Sequence, residues 1–264
     1  MDDVLKKIYE ARARRLEVEM RDEPYAALHE RALATAGDRR PFLAALRAST
    51  GTAVIAEIKR ASPSAGLIAH NFDHVAIGRL YENAGADAIS VLTERDHFLG
   101  DLHFLQDVRD ATKLPLLRKD FLSGPYEVAQ SAAYGADCIL LIVAGLDDAS
   151  VGACLDEARL FGLDVLVEVH GEDELERALG LGATLIGVNN RNLRTMTTNL
   201  AVSECILPLV PPEIFAISES GMSGPRDVER LTRAGARGVL VGESLMRSED
   251  PVRQIVAMKA CTRA

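Results

Sequence analysis

The chain has 264 residues, of which 48% are hydrophobic and 26% charged, a composition that excludes a disordered or fibrous protein. Its 39 acidic and 30 basic side chains give a formal charge of -9, which disfavours binding to the phosphate backbone of nucleic acids. No apolar run is long enough to cross a membrane, and the four cysteines have no metal-binding spacing. We therefore expect a reduced, cytoplasmic protein that binds neither nucleic acid nor membrane.

The first part of the chain contains three helical patterns, at Leu5–Met20, Tyr25–Thr35 and Pro41–Ala48. Short β-branched or leucine-rich runs follow. They predict eight strands, at Val54–Ile58, Ala88–Leu92, Leu114–Leu117, Cys138–Val143, Asp164–Val169, Leu185–Val188, Ile214–Ile217 and Gly238–Val241. Amphipathic segments between them predict helices, among them Asp73–Asn83, Pro125–Tyr134, Asp147–Phe161, Glu172–Leu181 and Pro225–Ala234. This alternation is typical of a parallel sheet.

A Gly-Ala pair precedes every second predicted strand. The glycines are Gly85, Gly135, Gly182 and Gly235, about 50 residues apart. A glycine can end a helix with a positive φ, and a small residue after it lets helix and sheet approach closely. Four such units predict an α/β fold, a (β/α)8 TIM barrel, with residues 1–264 as one domain and residues 1–48 as a helical extension that caps it. A doubly wound open sheet is the alternative, but its glycine-rich dinucleotide motif is absent.

Charged and polar side chains lie at the ends of several predicted strands. They are Glu57, Lys59, Lys119, Glu168 and Asn189. Since the active site of such a barrel lies at the C-terminal ends of its strands, we expect these groups to converge there as acid and base machinery. Any single one of them could instead top its strand in solvent, but their recurrence on four strands argues against that reading for the set.

Glycine-rich turns follow the last two predicted strands. Ser220-Gly221 and Gly242-Glu243 lie where barrels of this kind commonly bind a phosphate group with backbone N–H groups. The alternative is that these glycines only form turns. The histidine pair His70 and His74 has a metal-ligand spacing but no third ligand nearby, so we predict no metal site.

Six segments resemble, in order, the motifs of the indole-3-glycerol phosphate synthase family. They are Ile55–Ser64, Ile89–Glu94, Leu117–Phe121, Val167–His170, Gly187–Leu193 and Ser218–Gly221. The resemblance covers essentially the whole chain, including the N-terminal helical patterns. Departures are few: Ala65 stands where many relatives carry Lys, and Met196-Thr197-Thr198 replaces a segment that contains Phe. These departures concern loop contacts rather than the reaction.

The resemblance implies a carboxy-lyase of tryptophan biosynthesis that needs no metal or organic cofactor. Its substrate, 1-(2-carboxyphenylamino)-1-deoxyribulose 5-phosphate, closes a pyrrole ring and loses CO2 and water. By similarity, Lys119 is the general acid, and Glu168 and Lys59 serve the later proton transfers in an order that the sequence leaves open. Glu57 and Asn189 would orient these groups.

Further binding residues follow from the same resemblance. Ser62, Pro63, Phe98, Leu140, Arg191 and Glu219 would contact the substrate, and Ser220, Gly221, Gly242 and Glu243 its phosphate, with Glu243 acting through its backbone. Two other functions stay open: a related phosphate-binding barrel such as phosphoribosylanthranilate isomerase, and a barrel that binds a metabolite or a partner subunit without turnover. The partner is thus a small phosphorylated molecule, and either a monomer or a weak homo-oligomer fits the sequence.

Overall fold

A computed structural model of the protein describes residues 4–262. Eight parallel strands form a closed barrel: β1 (Ala53–Ile58), β2 (Ala88–Leu92), β3 (Leu116–Lys119), β4 (Cys138–Ile142), β5 (Asp164–Val169), β6 (Leu185–Asn189), β7 (Phe215–Glu219) and β8 (Gly238–Val241). Each strand pairs with its neighbours in the chain, and β1 closes the barrel by pairing with β8, where Ala53 lies opposite Gly238. The predicted α/β class and (β/α)8 barrel are confirmed.

Helices alternate with the strands and surround them. They are α1 (Val4–Asp22), α2 (Tyr25–Ala34), α3 (Phe42–Arg47), α4 (His74–Asn83), α5 (Leu102–Ala111), α6 (Pro125–Ala133), α7 (Asp148–Leu160), α8 (Glu172–Gly180), α9 (Ala201–Ile206), α10 (Pro225–Arg233), α11 (Glu243–Met246) and α12 (Pro251–Lys259). A short antiparallel hairpin after β1 pairs Ala61–Ser62 with Gly66–Leu67.

The strands bury both faces, as parallel strands covered by helices must. On β1, Ile55 belongs to the apolar cluster inside the barrel, whereas Val54 and Ala56 pack in the layer between strands and helices. The glycines of the four Gly-Ala pairs all have positive φ, between 81° and 116°. Each therefore reverses the chain between a helix and the next strand, in a conformation that favours glycine.

The helices before β1 contact both ends of the barrel. Phe42 and Leu46 of α3 join the interior cluster beside Phe215, at the start of β7. On α1, Leu5 also joins that cluster, and the Tyr9 ring meets Phe121 edge-on just beyond the C-terminal end of β3. Apolar side chains of α1 and α3 thus pack against the interior cluster near the two ends of the barrel.

Candidate active site

Strand β1 carries the first charged pair of the barrel mouth. Glu57 lies in the strand and is 5% exposed, and Lys59 follows two residues later on the same face. Lys59 Nζ lies 2.7 Å from Glu57 Oε1. The Glu57 carboxylate needs the space left by Gly242 at the end of β8, because a Cβ there would overlap Glu57 Oε1.

A second cluster lies across the mouth, where β3 presents Lys119 to two carboxylates. Lys119 Nζ donates a hydrogen bond to Glu168 Oε2 of β5 at 3.2 Å and forms an ion pair with Glu219 Oε2 of β7 at 3.3 Å. Both carboxylates are 1% exposed. Gly187 on β6 makes room for Glu219, since a Cβ at that position would overlap Glu219 Oε1. Three strands therefore bring one ammonium group and two carboxylates together in a nearly dry place.

The charges of this cluster shift its pKa values in opposite directions. Although burial acts to lower the pKa of Lys119, Glu168 and Glu219 hold it above its ordinary value. For Glu168, burial acts to raise the pKa, but Lys119 and His170 hold it well below the usual range. For Glu219, burial and the nearby Glu168 outweigh Lys119 and raise the pKa to about 7. At neutral pH the Lys119 ammonium group and the Glu168 carboxylate are therefore both charged, whereas Glu219 titrates near neutral pH.

The neighbouring residue Arg118 anchors the backbone around Lys119 on the side of the strand that faces the helices. The Arg118 guanidinium is buried and donates hydrogen bonds to Thr93 Oγ1 at 3.1 Å, to Gln130 Oε1 of α6 at 3.0 Å and to Asp120 Oδ2 at 3.0 Å. Since successive side chains of a strand point to opposite faces, this anchoring of Arg118 toward the helices directs Lys119 to the mouth.

An apolar pocket adjoins the charged groups. Phe98, Phe121 and Leu140 line a cavity whose lining also includes Glu57, Lys119 and Glu168. The Phe98 and Phe121 ring centroids are 6.1 Å apart. An aromatic or other flat apolar group can therefore bind against these rings with its polar substituents directed at the charges.

Glu94 fixes the turn that carries Phe98 into this pocket. Its buried carboxylate accepts backbone N–H groups from Asp96 at 3.0 Å, His97 at 2.7 Å and Phe98 at 3.1 Å. Hydrogen bonds to an ionised acceptor are stronger than those between neutral groups. The position of the Phe98 ring is thus set by a side chain that does not itself line the pocket.

The opposite side of the mouth has the features of a phosphate site. A cavity of about 290 Å³ joins Lys59, Lys119 and Glu219 to the turns after β7 and β8, and Ser220, Gly221, Ser223, Gly242, Glu243, Ser244 and Arg247 also line it. Ser220 and Gly221 both have positive φ, at 63° and 84°. A Cβ at Gly221 would overlap Thr198 Cγ2, so both backbone and space require glycine there.

Arg191 connects the two sides of the mouth. Its Nη1 donates hydrogen bonds to Ser64 Oγ at 2.8 Å and to the Met196 carbonyl at 3.1 Å, and its Nη2 lies 3.9 Å from Glu243 Oε2. Arg247 also pairs with the Glu243 carboxylate, at 3.2 Å. The loops after β1, β6 and β8 thus meet at one guanidinium group above the charged cluster.

The sequence as a whole agrees with this geometry. The profile of the indole-3-glycerol phosphate synthase family matches residues 5–258. The chain belongs to this family. An indole-3-glycerol phosphate synthase of Azospirillum brasilense is 43% identical over 267 residues, covering 100% of this chain and 99% of the relative. An indole-3-glycerol phosphate synthase of Chromobacterium violaceum is 44% identical, and the match covers 95% of this chain and 96% of the relative.

The indole-3-glycerol phosphate synthase family consists of carboxy-lyases of tryptophan biosynthesis. A crystal structure of a 3-hexulose-6-phosphate synthase has a TM-score of 0.62 and 17% identity, and the match covers 80% of this chain and 100% of the other. That similarity supports the barrel fold alone.

Most of the residues that the family resemblance singled out lie together. Glu57, Lys59, Ser62, Phe98, Lys119, Leu140, Glu168, Asn189, Arg191 and Ser220 line the apolar cavity, and Glu219, Gly221, Gly242 and Glu243 line the adjoining one. Pro63 is different, because it is exposed and is not part of either lining.

Two residues of the site were not among the sequence predictions. Phe121 lines the apolar cavity although only its motif was noted, and His170 Nε2 lies 3.4 Å from Glu168 Oε1. Two-residue alternation along β5 could have placed His170 beside Glu168. Across residues 4–262, no group of three or more His, Cys, Asp or Glu side chains is arranged to hold a metal ion. Nor does any helix in that part of the chain have the length and apolarity of a membrane span.

Proposed function

We propose that this protein converts 1-(2-carboxyphenylamino)-1-deoxyribulose 5-phosphate to indole-3-glycerol phosphate. The observation that carries the proposal is the Lys119 ammonium group, held by two buried carboxylates between an apolar pocket and a phosphate-sized cavity. Such a substrate has an aryl ring at one end, a phosphate at the other and the reacting carbonyl between them. It therefore matches the three parts of the mouth in their spatial order.

Ring closure begins at the carbonyl group. The aryl carbon that bears the carboxylate attacks the carbonyl carbon, and the carbonyl oxygen takes a proton from Lys119 to become a hydroxyl group. A preorganised ammonium group also stabilises the negative charge that develops on this oxygen. Glu168 is ionised and lies 3.2 Å from Lys119, so it lies near the reacting carbonyl. Its negative charge stabilises the positive charge of the ring that results.

Decarboxylation and dehydration follow. Loss of CO2 returns its bonding electron pair to the ring and restores aromaticity. The hydroxyl group then leaves as water after it gains a proton, and a base removes a proton from the neighbouring methylene carbon. Lys59 and Glu168 serve these two transfers, one as acid and the other as base, and Glu57 orients Lys59 at 2.7 Å. Asn189 supports the ionised form of Glu168.

The two ends of the substrate take separate sites. The aryl ring packs against Phe98 and Leu140, and Lys59 neutralises the carboxylate until it leaves as CO2. The phosphate binds to backbone N–H groups of the turns at Ser220-Gly221 and Gly242-Glu243. Glu243 contributes only its backbone there, because its carboxylate would repel the phosphate.

The assay is the appearance of indole fluorescence when the substrate is added to the purified protein, which contains no Trp that would mask the signal. We expect Lys119→Ala to lower turnover by about 10² to 10⁴-fold, the usual contribution of a general acid. Lys113→Ala, at an exposed position before the same strand, is the matched control and should keep full turnover. Full turnover in Lys119→Ala would refute its assignment as the acid.

The remaining expectations belong to the same proposal. We place the reaction in the cytoplasm, and we propose that residues 1–264 act as one barrel domain with residues 1–48 as its cap. A folded protein that binds the substrate without forming product would instead favour the binding barrel. Turnover of phosphoribosylanthranilate in place of the expected substrate would favour the isomerase.

A further inference from the structure

Glu168 presents one of its two carboxylate oxygens to a residue that the proposed reaction does not use. Oε2 takes the hydrogen bond of Lys119, while Oε1 lies 3.4 Å from His170 Nε2, within ion-pair distance. In the part of the chain that the structure describes, neither Glu168 Oε1 nor His170 Nε2 makes a hydrogen bond with any other group. Buried polar atoms rarely lack a partner, so this pair of atoms calls for an explanation.

The other side of the His170 ring also faces a carboxylate. Glu174, in the first turn of α8, accepts the backbone N–H of His170 at 2.8 Å through Oε2, and the same oxygen lies 3.2 Å from Nδ1. A neutral imidazole can donate a proton from only one of its nitrogens, whereas an imidazolium donates from both. Two carboxylate oxygens on opposite sides of the ring therefore favour the charged form.

The other charged groups near His170 do not change this conclusion. The cavity beside it, of about 670 Å³, is also lined by Arg177, Arg191 and Arg194. Arg177 is paired with Asp148 at 2.7 Å, and Arg191 donates to the Met196 carbonyl. Burial acts to lower the pKa of His170, but Glu168 and Glu174 outweigh it and raise that pKa to about 10.

We propose that His170 is a positioning residue, an imidazolium that holds Glu168 in the orientation in which its other oxygen meets Lys119. The inference rests on the proposed function, because it assigns His170 a role through Glu168. With one cation on each oxygen, the carboxylate cannot rotate without leaving a buried charge unpaired. Without His170, Glu168 would lose the cation beside Oε1 and would bind protons more readily.

The first test compares the pH dependence of turnover in His170→Gln and in the wild-type protein. Gln keeps a hydrogen-bond donor but removes the charge. We expect kcat to fall about tenfold, within the range that misplaced catalytic groups cost, while KM changes by less than about twofold. The acidic limb of the kcat profile should move to higher pH, because Glu168 has lost one of its two cations. His170→Arg, which restores a cation, should recover part of that shift.

The control is Glu176→Gln, at an exposed position of α8, the helix that also carries Glu174. This variant should leave kcat and the pH profile unchanged. If His170→Gln has the wild-type profile, or changes KM alone, the positioning role is wrong.

A second test needs neither activity nor a variant that folds. The chain has six histidines, and their imidazole nitrogen signals can be titrated by NMR in the wild-type protein. We expect at least one imidazole to stay protonated above pH 8, since unperturbed histidine has a pKa near 6.5. If all six lose their protons below pH 8, the proposal is overturned even where synthase activity is found. A protonated imidazole in a protein without synthase activity would instead mean that only the proposed function has failed.

Discussion

At the scale of single residues, the mouth of the barrel holds two buried carboxylates against one ammonium group. Lys119 lies 3.2 Å from Glu168 and 3.3 Å from Glu219, yet the two carboxyl groups differ in their pKa shifts. Glu168 also has His170 as a second cationic neighbour, whereas Glu219 has the negative charge of Glu168 nearby. One carboxylate therefore stays ionised, and the other retains its proton up to neutral pH.

This difference predicts how stability depends on pH. The pKa of Glu219 rises from an ordinary 4.5 to about 7 on folding, so the folded protein binds a proton that the unfolded chain releases. The resulting stabilisation is complete below pH 4.5 and is lost as pH rises through about 7. In that window the Glu219 contribution to the unfolding free energy falls by about 1.4 kcal/mol per pH unit.

Urea unfolding at several pH values measures this slope. Glu219→Gln cannot titrate, so its stability should lack the component that falls between pH 4.5 and 7. Glu213→Gln, in the loop before the same strand, is the control and should keep the wild-type slope. Equal slopes in wild type and Glu219→Gln would show that Glu219 is ionised in the folded protein well below pH 7.

At the scale of elements, apolar periodicity and glycine spacing were sufficient to predict the eight strands. Some strand boundaries were predicted wrongly, because the apolar pattern does not show which residues can hydrogen-bond to the sheet. Strand β3 was predicted at Leu114–Leu117 but runs from Leu116 to Lys119, because Pro115 cannot donate a hydrogen bond to the sheet. The hairpin after β1 and the short helices α9 and α11 were not predicted, since their apolar pattern is too short to show a period.

The candidate site could be predicted only in part, for a similar reason. Strand-end charges such as Lys119 can be recognised from the chain, because the fold places all strand ends together. The sequence does not show that Arg191 spans three loops, since its contacts with Ser64 and Glu243 join segments far apart in the chain. The burial that raises the pKa of Glu219 likewise depends on tertiary packing.

Helix α1 contacts the barrel through a buried ion pair. Arg12 Nε donates to Glu127 Oε1 of α6 at 2.6 Å, and both side chains are almost fully buried. The other oxygen of Glu127 accepts from the Ser123 backbone at 2.6 Å, in the loop that follows Lys119. Removing one partner of a buried pair leaves an uncompensated charge, so Arg12→Met should lower the unfolding free energy by about 3–5 kcal/mol.

Chemical denaturation tests this prediction against Arg14→Met, an exposed position two residues away, which should change stability by less than about 0.5 kcal/mol. The double variant Arg12→Met with Glu127→Gln should recover part of the loss, because it removes the fully buried Glu127 charge and leaves only the more exposed Glu19 without Arg12. A loss below about 1 kcal/mol in Arg12→Met would mean that Glu127 finds another partner or a proton at little cost.

At the scale of the whole molecule, the barrel separates chemistry from stability along its axis. The charged cluster and the two adjoining cavities lie at the C-terminal ends of the strands. At the N-terminal ends, buried or partly buried aspartates join the strands to the surrounding helices. Asp87, before β2, accepts the Val54 N–H at 2.8 Å and pairs with Lys259 of α12 at 2.6 Å. Substitutions at this end should therefore change stability while leaving the reacting groups in place.

Asp137, which precedes β4, offers the sharpest test of that separation. Its carboxylate is buried and accepts the backbone N–H groups of Arg40 at 2.8 Å and Leu116 at 2.9 Å, and it pairs with Arg109 at 2.9 Å.

Asp137→Asn replaces one acceptor oxygen by a donor and removes the charge opposite Arg109, so the unfolding free energy should fall by about 2–4 kcal/mol. Turnover of the folded variant should stay within about twofold of wild type, since the Lys119 cluster lies at the other end of the barrel. Asp110→Asn, exposed on α5, controls for the loss of charge alone. A large drop in kcat at unchanged stability would show that the two ends of the barrel are coupled.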